Sequence, residues 1–131
     1  MKKLFLLIPL LLLFVFASGC GASGGDDLLY RQVSGEEAME MMQTESGYLI
    51  VDVRTAQEYA AGHLPNAVNI PNESIGKEMP PQLPDTEQLI FVYCRSGRRS
   101  KEAAQKLADM GYLNIVEMGG INDWPGEITK E

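Results

Sequence analysis

Gln88-Leu89-Ile90-Phe91-Val92-Tyr93-Cys94-Arg95-Ser96-Gly97-Arg98-Arg99-Ser100 reads, in order, as a buried strand, a short basic loop and the opening of a helix. Leu89 to Tyr93 is apolar without alternation, the pattern of a strand covered on both faces in a parallel sheet. Ser100 to Met110 continues as a helix, with Ala103, Ala104 and Leu107 on one face and Gly111 as its C-cap. A strand that feeds a helix through a tight loop is the repeating unit of an α/β layer structure.

The segments on either side repeat that alternation. Tyr48 to Val53 is the strongest strand, apolar and β-branched apart from Asp52. Upstream, Tyr30 to Val33 is a short strand, and Ser34 with Glu37 forms a capping box over a helix that turns Ala38, Met41 and Met42 inward. These methionines read as core filler. Downstream, Thr55 and Glu58 form a second capping box over a short helix through Ala61, stopped by Gly62. Ala67 to Ile70 is a third strand ended by Pro71, and residues 73–84, with three prolines, read as a surface excursion containing a helical turn. Ile115-Val116 is the last short strand, before Gly119-Gly120 and a turn into Trp124-Pro125. Five strands with interleaved helices predict one α/β domain with a mainly parallel sheet.

The N-terminal stretch stands apart from this pattern. Lys2 and Lys3 precede unbroken apolar sequence from Leu4 to Phe16, and Ala17-Ser18-Gly19-Cys20 follows. This is the layout of a secretory signal, and its terminal cysteine resembles a bacterial lipoprotein signal, although Ala17 stands where that signal usually has Leu. The resemblance implies cleavage before Cys20, lipidation of Cys20 on sulfur, and attachment to a membrane outside the cytoplasm, in the cell envelope. The competing reading is an uncleaved anchor, but 13 apolar residues fall short of the roughly 20 that span a bilayer. The predicted organisation is a signal over residues 1–19, a Gly-, Ser- and Asp-rich tether over 20–28, and the domain over 29–131. Without Lys2 and Lys3, 9 basic residues face 18 acidic ones, a net charge near −9. So acidic a chain is a poor partner for nucleic acid, whose phosphates select Lys and Arg.

With Cys20 consumed by lipid, Cys94 has no cysteine with which to form an internal disulfide. One His and one free Cys also give no basis for a metal cluster. Cys94 therefore reads as either an inert buried thiol or a reactive one. Its place favours the second: it ends a buried strand where α/β sheets collect their ligands. The following loop can gather backbone N–H groups, the next helix adds its positive end, and Gly97 permits backbone shapes closed to other residues. Arg95, Arg98 and Arg99 crowd three positive charges into five residues of an acidic chain. Such surroundings lower a cysteine pKa from about 8.5 towards roughly 3.5–7.5 and would hold an incoming anion.

The loop Cys94-Arg95-Ser96-Gly97-Arg98-Arg99-Ser100 resembles the active-site loop of the rhodanese-like sulfurtransferases. Leu49 to Arg54 with Glu58-Tyr59 resembles that family's central strand and turn. Gly62-His63-Leu64-Pro65-Asn66-Ala67 resembles its Gly-His-Ile-Pro-Gly-Ala stretch, with Asn66 replacing a glycine; Asn tolerates a left-handed backbone. Gly119-Gly120-Ile121 with Trp124 resembles its C-terminal element. The resemblance runs from Tyr30 to Trp124. It implies a three-layer α/β/α domain, a five-stranded parallel sheet ordered 3-2-4-5-1, and no cofactor. It implies that Cys94 takes sulfane sulfur from a small donor such as thiosulfate, held by the backbone amides of Arg95, Ser96, Gly97, Arg98 and Arg99, and passes it to a thiol or cyanide acceptor. A protein acceptor is not legible.

That fold is shared with cysteine phosphatases and arsenate reductases, which place an Arg six positions after the cysteine to grip phosphate bidentately. Here that position is Ser100, and Arg99 comes one residue early. His63 could serve as the base of a Cys–His dyad, but its turn is structural in the family. Arg54 and Glu58, four residues apart at a helix start, are expected to pair with each other. Asp52 and Arg54 end the central strand on the sheet edge that carries Cys94 and are candidates for supporting the thiol from behind. Trp124 reads as a packing anchor. A non-catalytic binding module and a thiol redox partner are the alternatives of other classes; family members that lose catalysis generally lose the cysteine that this chain keeps.

Overall fold

A computed structural model describes residues 28–131 of the chain. The expected signal, Cys20 and nearly all of the tether lie outside the described residues. Five strands, β1 (Arg31–Gln32), β2 (Leu49–Asp52), β3 (Val68–Asn69), β4 (Ile90–Cys94) and β5 (Ile115–Gly120), form one sheet in the order β1-β5-β4-β2-β3. Every pairing is parallel. The architecture is α/β, and the strand order is the one the resemblance implies, counted from the other edge.

Three helices cover the sheet: α1 (Gly35–Thr44), α2 (Ala56–Ala61) and α3 (Arg98–Asp109). Alternate residues of the central strands feed two cores, as the pleat requires. Val51, Val53, Ile90, Val92, Cys94 and Ile115 meet Ala103, Ala104 and Leu107 of α3. Ile50, Phe91, Tyr93, Val116 and Met118 meet Ala38 of α1 and Leu64, with Tyr59 of α2 and Trp124 packed against them. Trp124 thus serves as an anchor in the second core, with its Nε1 unpartnered.

Three local expectations need correction. The Thr55–Glu58 capping box is complete, but at Ser34 only half of one forms. Ser34 Oγ accepts from the Glu37 N–H at 3.1 Å, while the Glu37 carboxylate lies 3.3 Å from the same hydroxyl. Residues 73–84 are not merely a surface excursion, since Ile75 and Leu83 are core residues on the α3 side. The short β3 and a 3₁₀ turn at Asn72–Ser74 steer the chain there, and Asn72 bonds Glu102 and Lys106 of α3. Finally, β5 continues through Gly119-Gly120 instead of stopping at Val116. It can do so because the ladder shifts: Val92 pairs with Glu117 but Cys94 pairs with Gly120, so β5 holds one extra residue, with Gly119 at φ 81°.

Candidate active site

Cys94 is the last residue of β4, and its side chain points to the α3 face, only 1% exposed. Gly97 caps α3 at φ 113°, a conformation that glycine adopts without strain. The turn aims the Gly97 N–H at Cys94 Sγ, 3.0 Å away. On the far side, Ser100 Oγ lies 3.3 Å from the same sulfur. The loop is also clamped against β5. The Asn122 N–H donates to the Arg95 carbonyl at 3.3 Å, and a Cβ on Gly120 would stand 2.0 Å from that oxygen.

The structure separates the three arginines. Arg95 and Arg98 are exposed, and Arg98 pairs with Glu102 one turn along α3 at 3.0 Å. Arg99 turns inward and is gripped by both carboxylate oxygens of Glu58, at 2.7 and 3.0 Å. Glu58, expected to pair with Arg54, instead crosses from α2 to α3, 41 residues away. The Arg99 bond holds the Glu58 carboxyl down at about 2, and the same pair, with a further contribution from Cys94, raises the Arg99 guanidinium. Arg99 is therefore the one of the three arginines anchored to another element, by both carboxylate oxygens of Glu58.

Arg54 pairs with Asp52, contacting Oδ2 at 2.7 Å, and donates to the Gly62 carbonyl at 2.6 Å. Asp52 also accepts from the Tyr93 hydroxyl at 2.6 Å. Burial first, and then the bond to Asp52, pushes the Tyr93 phenol well above its ordinary range. This network lies on the sheet face opposite Cys94 and reaches the thiol only through the backbone of Tyr93. It fixes the Gly62–Ala67 turn, where Tyr93 Oη also accepts from the Leu64 N–H at 3.1 Å and Asn66 adopts φ 65°. His63 stacks on Tyr59 at 3.7 Å, and its two ring nitrogens face Tyr59 O and Glu131 O at 2.8 and 2.6 Å. Those contacts make it part of the turn, not a partner for Cys94.

Glu117 is a site residue that no sequence motif marks. It is 2% exposed, in the middle of β5 and on the Cys94 side. Its Oε1 lies 2.6 Å from Ser100 Oγ and accepts from the Gly119 N–H at 2.8 Å. The signal was a charge within Ile115-Val116-Glu117-Met118, since a buried carboxylate requires partners.

A parallel sheet that presents one buried cysteine at its carboxyl edge, inside a loop closed by a helix N-terminus, defines an α/β domain organised around a single thiol. The rhodanese-like domain family matches residues 34–127. The chain belongs to that family. It is 34% identical over 73 residues to the thiosulfate sulfurtransferase PspE of Escherichia coli K12, covering 56% of this chain and 70% of PspE. It is 30% identical over 97 residues to the putative sulfur carrier protein YrkF of Bacillus subtilis, covering 73% of this chain and 51% of YrkF; the chain thus spans about half the length of that relative. Among solved structures, a rhodanese with anions from E. coli superposes with a TM-score of 0.59 at 31% identity, covering 64% of this chain and 99% of that one.

Proposed function

We propose that the protein is a sulfurtransferase in which Cys94 carries sulfane sulfur as a persulfide. The observation that carries this reading is the cradle around Cys94 Sγ, with the Gly97 amide at 3.0 Å on one side and Ser100 at 3.3 Å on the other. In the transfer, the Cys94 thiolate attacks the outer sulfur of thiosulfate. The bond to the inner sulfur breaks, and sulfite leaves with the electron pair. A thiol or cyanide then attacks the outer persulfide sulfur and returns Cys94 to thiolate. The similarity to PspE and YrkF supports this class of chemistry.

Phosphate chemistry fits the loop less well. The position six residues after Cys94 is Ser100, whose hydroxyl bonds inward to Glu117, while Arg99 is committed to Glu58. A single transferred sulfur atom suits this loop better than a phosphate that needs a bidentate arginine. The test assays both activities on one preparation. Sulfur transfer from thiosulfate to cyanide is expected, with negligible aryl phosphate hydrolysis, and Cys94→Ser should abolish the transfer. Phosphatase turnover that exceeds sulfur transfer and disappears in Cys94→Ser would reverse the assignment.

The proposed setting is the cell envelope. The Lys2-Lys3 and Leu4–Phe16 pattern ending at Cys20 supports a lipid-anchored protein facing away from the cytoplasm. Its sulfur donor and acceptor would then be molecules of that compartment.

A further inference from the structure

Glu117 is a buried carboxylate on β5, and among the described residues no ion pair includes it. A charge so placed is costly unless hydrogen bonds compensate for lost water. Two groups bond Glu117, the Gly119 N–H and the Ser100 hydroxyl, and the hydroxyl leads to Cys94 Sγ. Ser100 is itself fully buried, and its Oγ also lies 2.9 Å from the Gly97 carbonyl. A hydroxyl has one hydrogen and two lone pairs, so it cannot donate along all of these contacts at once. Its orientation must follow the protonation of its neighbours.

We infer that Ser100 relays the Cys94 proton to Glu117, so that the buried thiol is activated by a carboxylate acting through a serine. The inference rests on the sulfur-carrier reading of Cys94. In the resting arrangement, Glu117 is ionised, Ser100 donates to it, and Ser100 Oγ accepts from the Cys94 S–H. On activation, the S–H bond breaks and a new O–H bond forms at Ser100. The original Ser100 proton moves to Glu117, giving a carboxylic acid. Thiol plus carboxylate become thiolate plus acid: two protons shift by one place each, no electron is transferred, and the net charge stays at −1. The new Ser100 O–H, formed along the line to the sulfur, and the Gly97 N–H then both donate to the thiolate. The ladder shift in β5 is what sets this up, because it places the Gly119 N–H on Glu117 while Gly120 leaves room for the loop.

Ser100 touches the reacting sulfur; Glu117 acts through it, as a positioning residue. The titratable side chains on the strands beside Glu117 and the first turns of α3 are Tyr93, which points to the opposite face of the sheet, and Cys94, Arg31, Arg98, Arg99, Lys101 and Glu102. Arg31, Arg98, Lys101 and Glu102 are exposed and Arg99 is held by Glu58, which leaves Cys94 as the titratable group sharing the Glu117 hydrogen-bond chain. The acidic residues of α1 belong to the layer on the other face of the sheet.

The test is the rate of Cys94 alkylation by iodoacetamide across pH, which needs no sulfur donor. Full-length wild type, Glu117→Gln and Ser100→Ala are compared after thermal melts establish that each is folded. Two groups sharing a proton titrate in two macroscopic steps. The wild-type rate should therefore rise to a plateau at acid pH and rise again at higher pH. Gln keeps the size and acceptor oxygen of Glu117 but cannot take the proton, so Glu117→Gln should give a single rise. Ser100→Ala keeps the charge and breaks the chain, and should lower the acid plateau by about 10-fold or more, the factor that one pKa unit of coupling represents. A single-step wild-type profile, a plateau that survives Glu117→Gln, or one unchanged in Ser100→Ala overturns the relay. Failure of thiosulfate to load sulfur while the plateau behaves as expected would instead refute the sulfur-carrier reading.

Discussion

Gly120 sits where the cysteine loop and β5 come closest, with no room for a methyl group between its Cα and the Arg95 carbonyl. Gly120→Ala must push the loop away from the sheet. Overpacking of this kind costs about 1–3 kcal/mol, and here the strain falls on the Cys94 cradle. Thermal melts and sulfur loading should therefore decline together; a variant that loads sulfur normally would show that the loop tolerates displacement. Asp52 poses the opposite problem. It is fully buried, and it neutralises Arg54 while accepting from Tyr93. Asp52→Ala leaves a buried guanidinium without its counter-ion, a change that costs about 3–5 kcal/mol. Denaturant titration should show a loss of that size, and a loss below about 1 kcal/mol would mean that Arg54 escapes to solvent.

At the scale of elements, Glu58 joins α2 to α3. One carboxylate completes the Thr55 capping box and grips Arg99. Its pKa is lowered from 4.5 to about 2, first by the Arg99 bond. A depressed carboxylate contributes stability that is fully present above its unfolded value and is lost as pH falls through the folded one. The contribution of Glu58 should thus fade as the pH falls from 4.5 towards 2. Glu58→Gln keeps a competent cap but not the ion pair. At neutral pH it should lose less than about 1 kcal/mol, because both side chains remain partly open to water. Its stability should also fall less steeply with acid than that of the wild type; equal slopes in the two proteins would refute this role. The pairing also shows where sequence reading stops. β2, β4 and α3 were legible because unbroken apolar runs and a helical apolar face carry their own period, and Cys94 with its loop was legible because the loop is contiguous. Glu58 to Arg99 and Ser100 to Glu117 span 41 and 17 residues. Such pairings depend on how the sheet stacks its helices, which no local pattern encodes. The local rule instead favoured Arg54 with Glu58, and a buried aspartate two residues before Arg54 won that arginine.

For the molecule as a whole, the described domain carries a complete cysteine cradle, and the segment before it holds the proposed address. Changing Cys20 to Ala should block lipid attachment and move the protein from the membrane fraction to the soluble one. Mass spectrometry that finds an unmodified Cys20 thiol in the membrane-bound mature protein would remove that assignment. The two-sided core followed from the unbroken apolar strands and the strand order from the family resemblance, whereas the core role of Ile75 and Leu83 followed from neither, because prolines and short polar runs mask the two anchors between them. All of these parts converge on one atom, Cys94 Sγ. Intact-protein mass spectrometry after incubation with thiosulfate tests its role directly. The wild type should gain the mass of one sulfur atom and lose it again on addition of cyanide, while Cys94→Ser should gain nothing; a Cys94→Ser protein that still takes up and releases that sulfur would contradict the account.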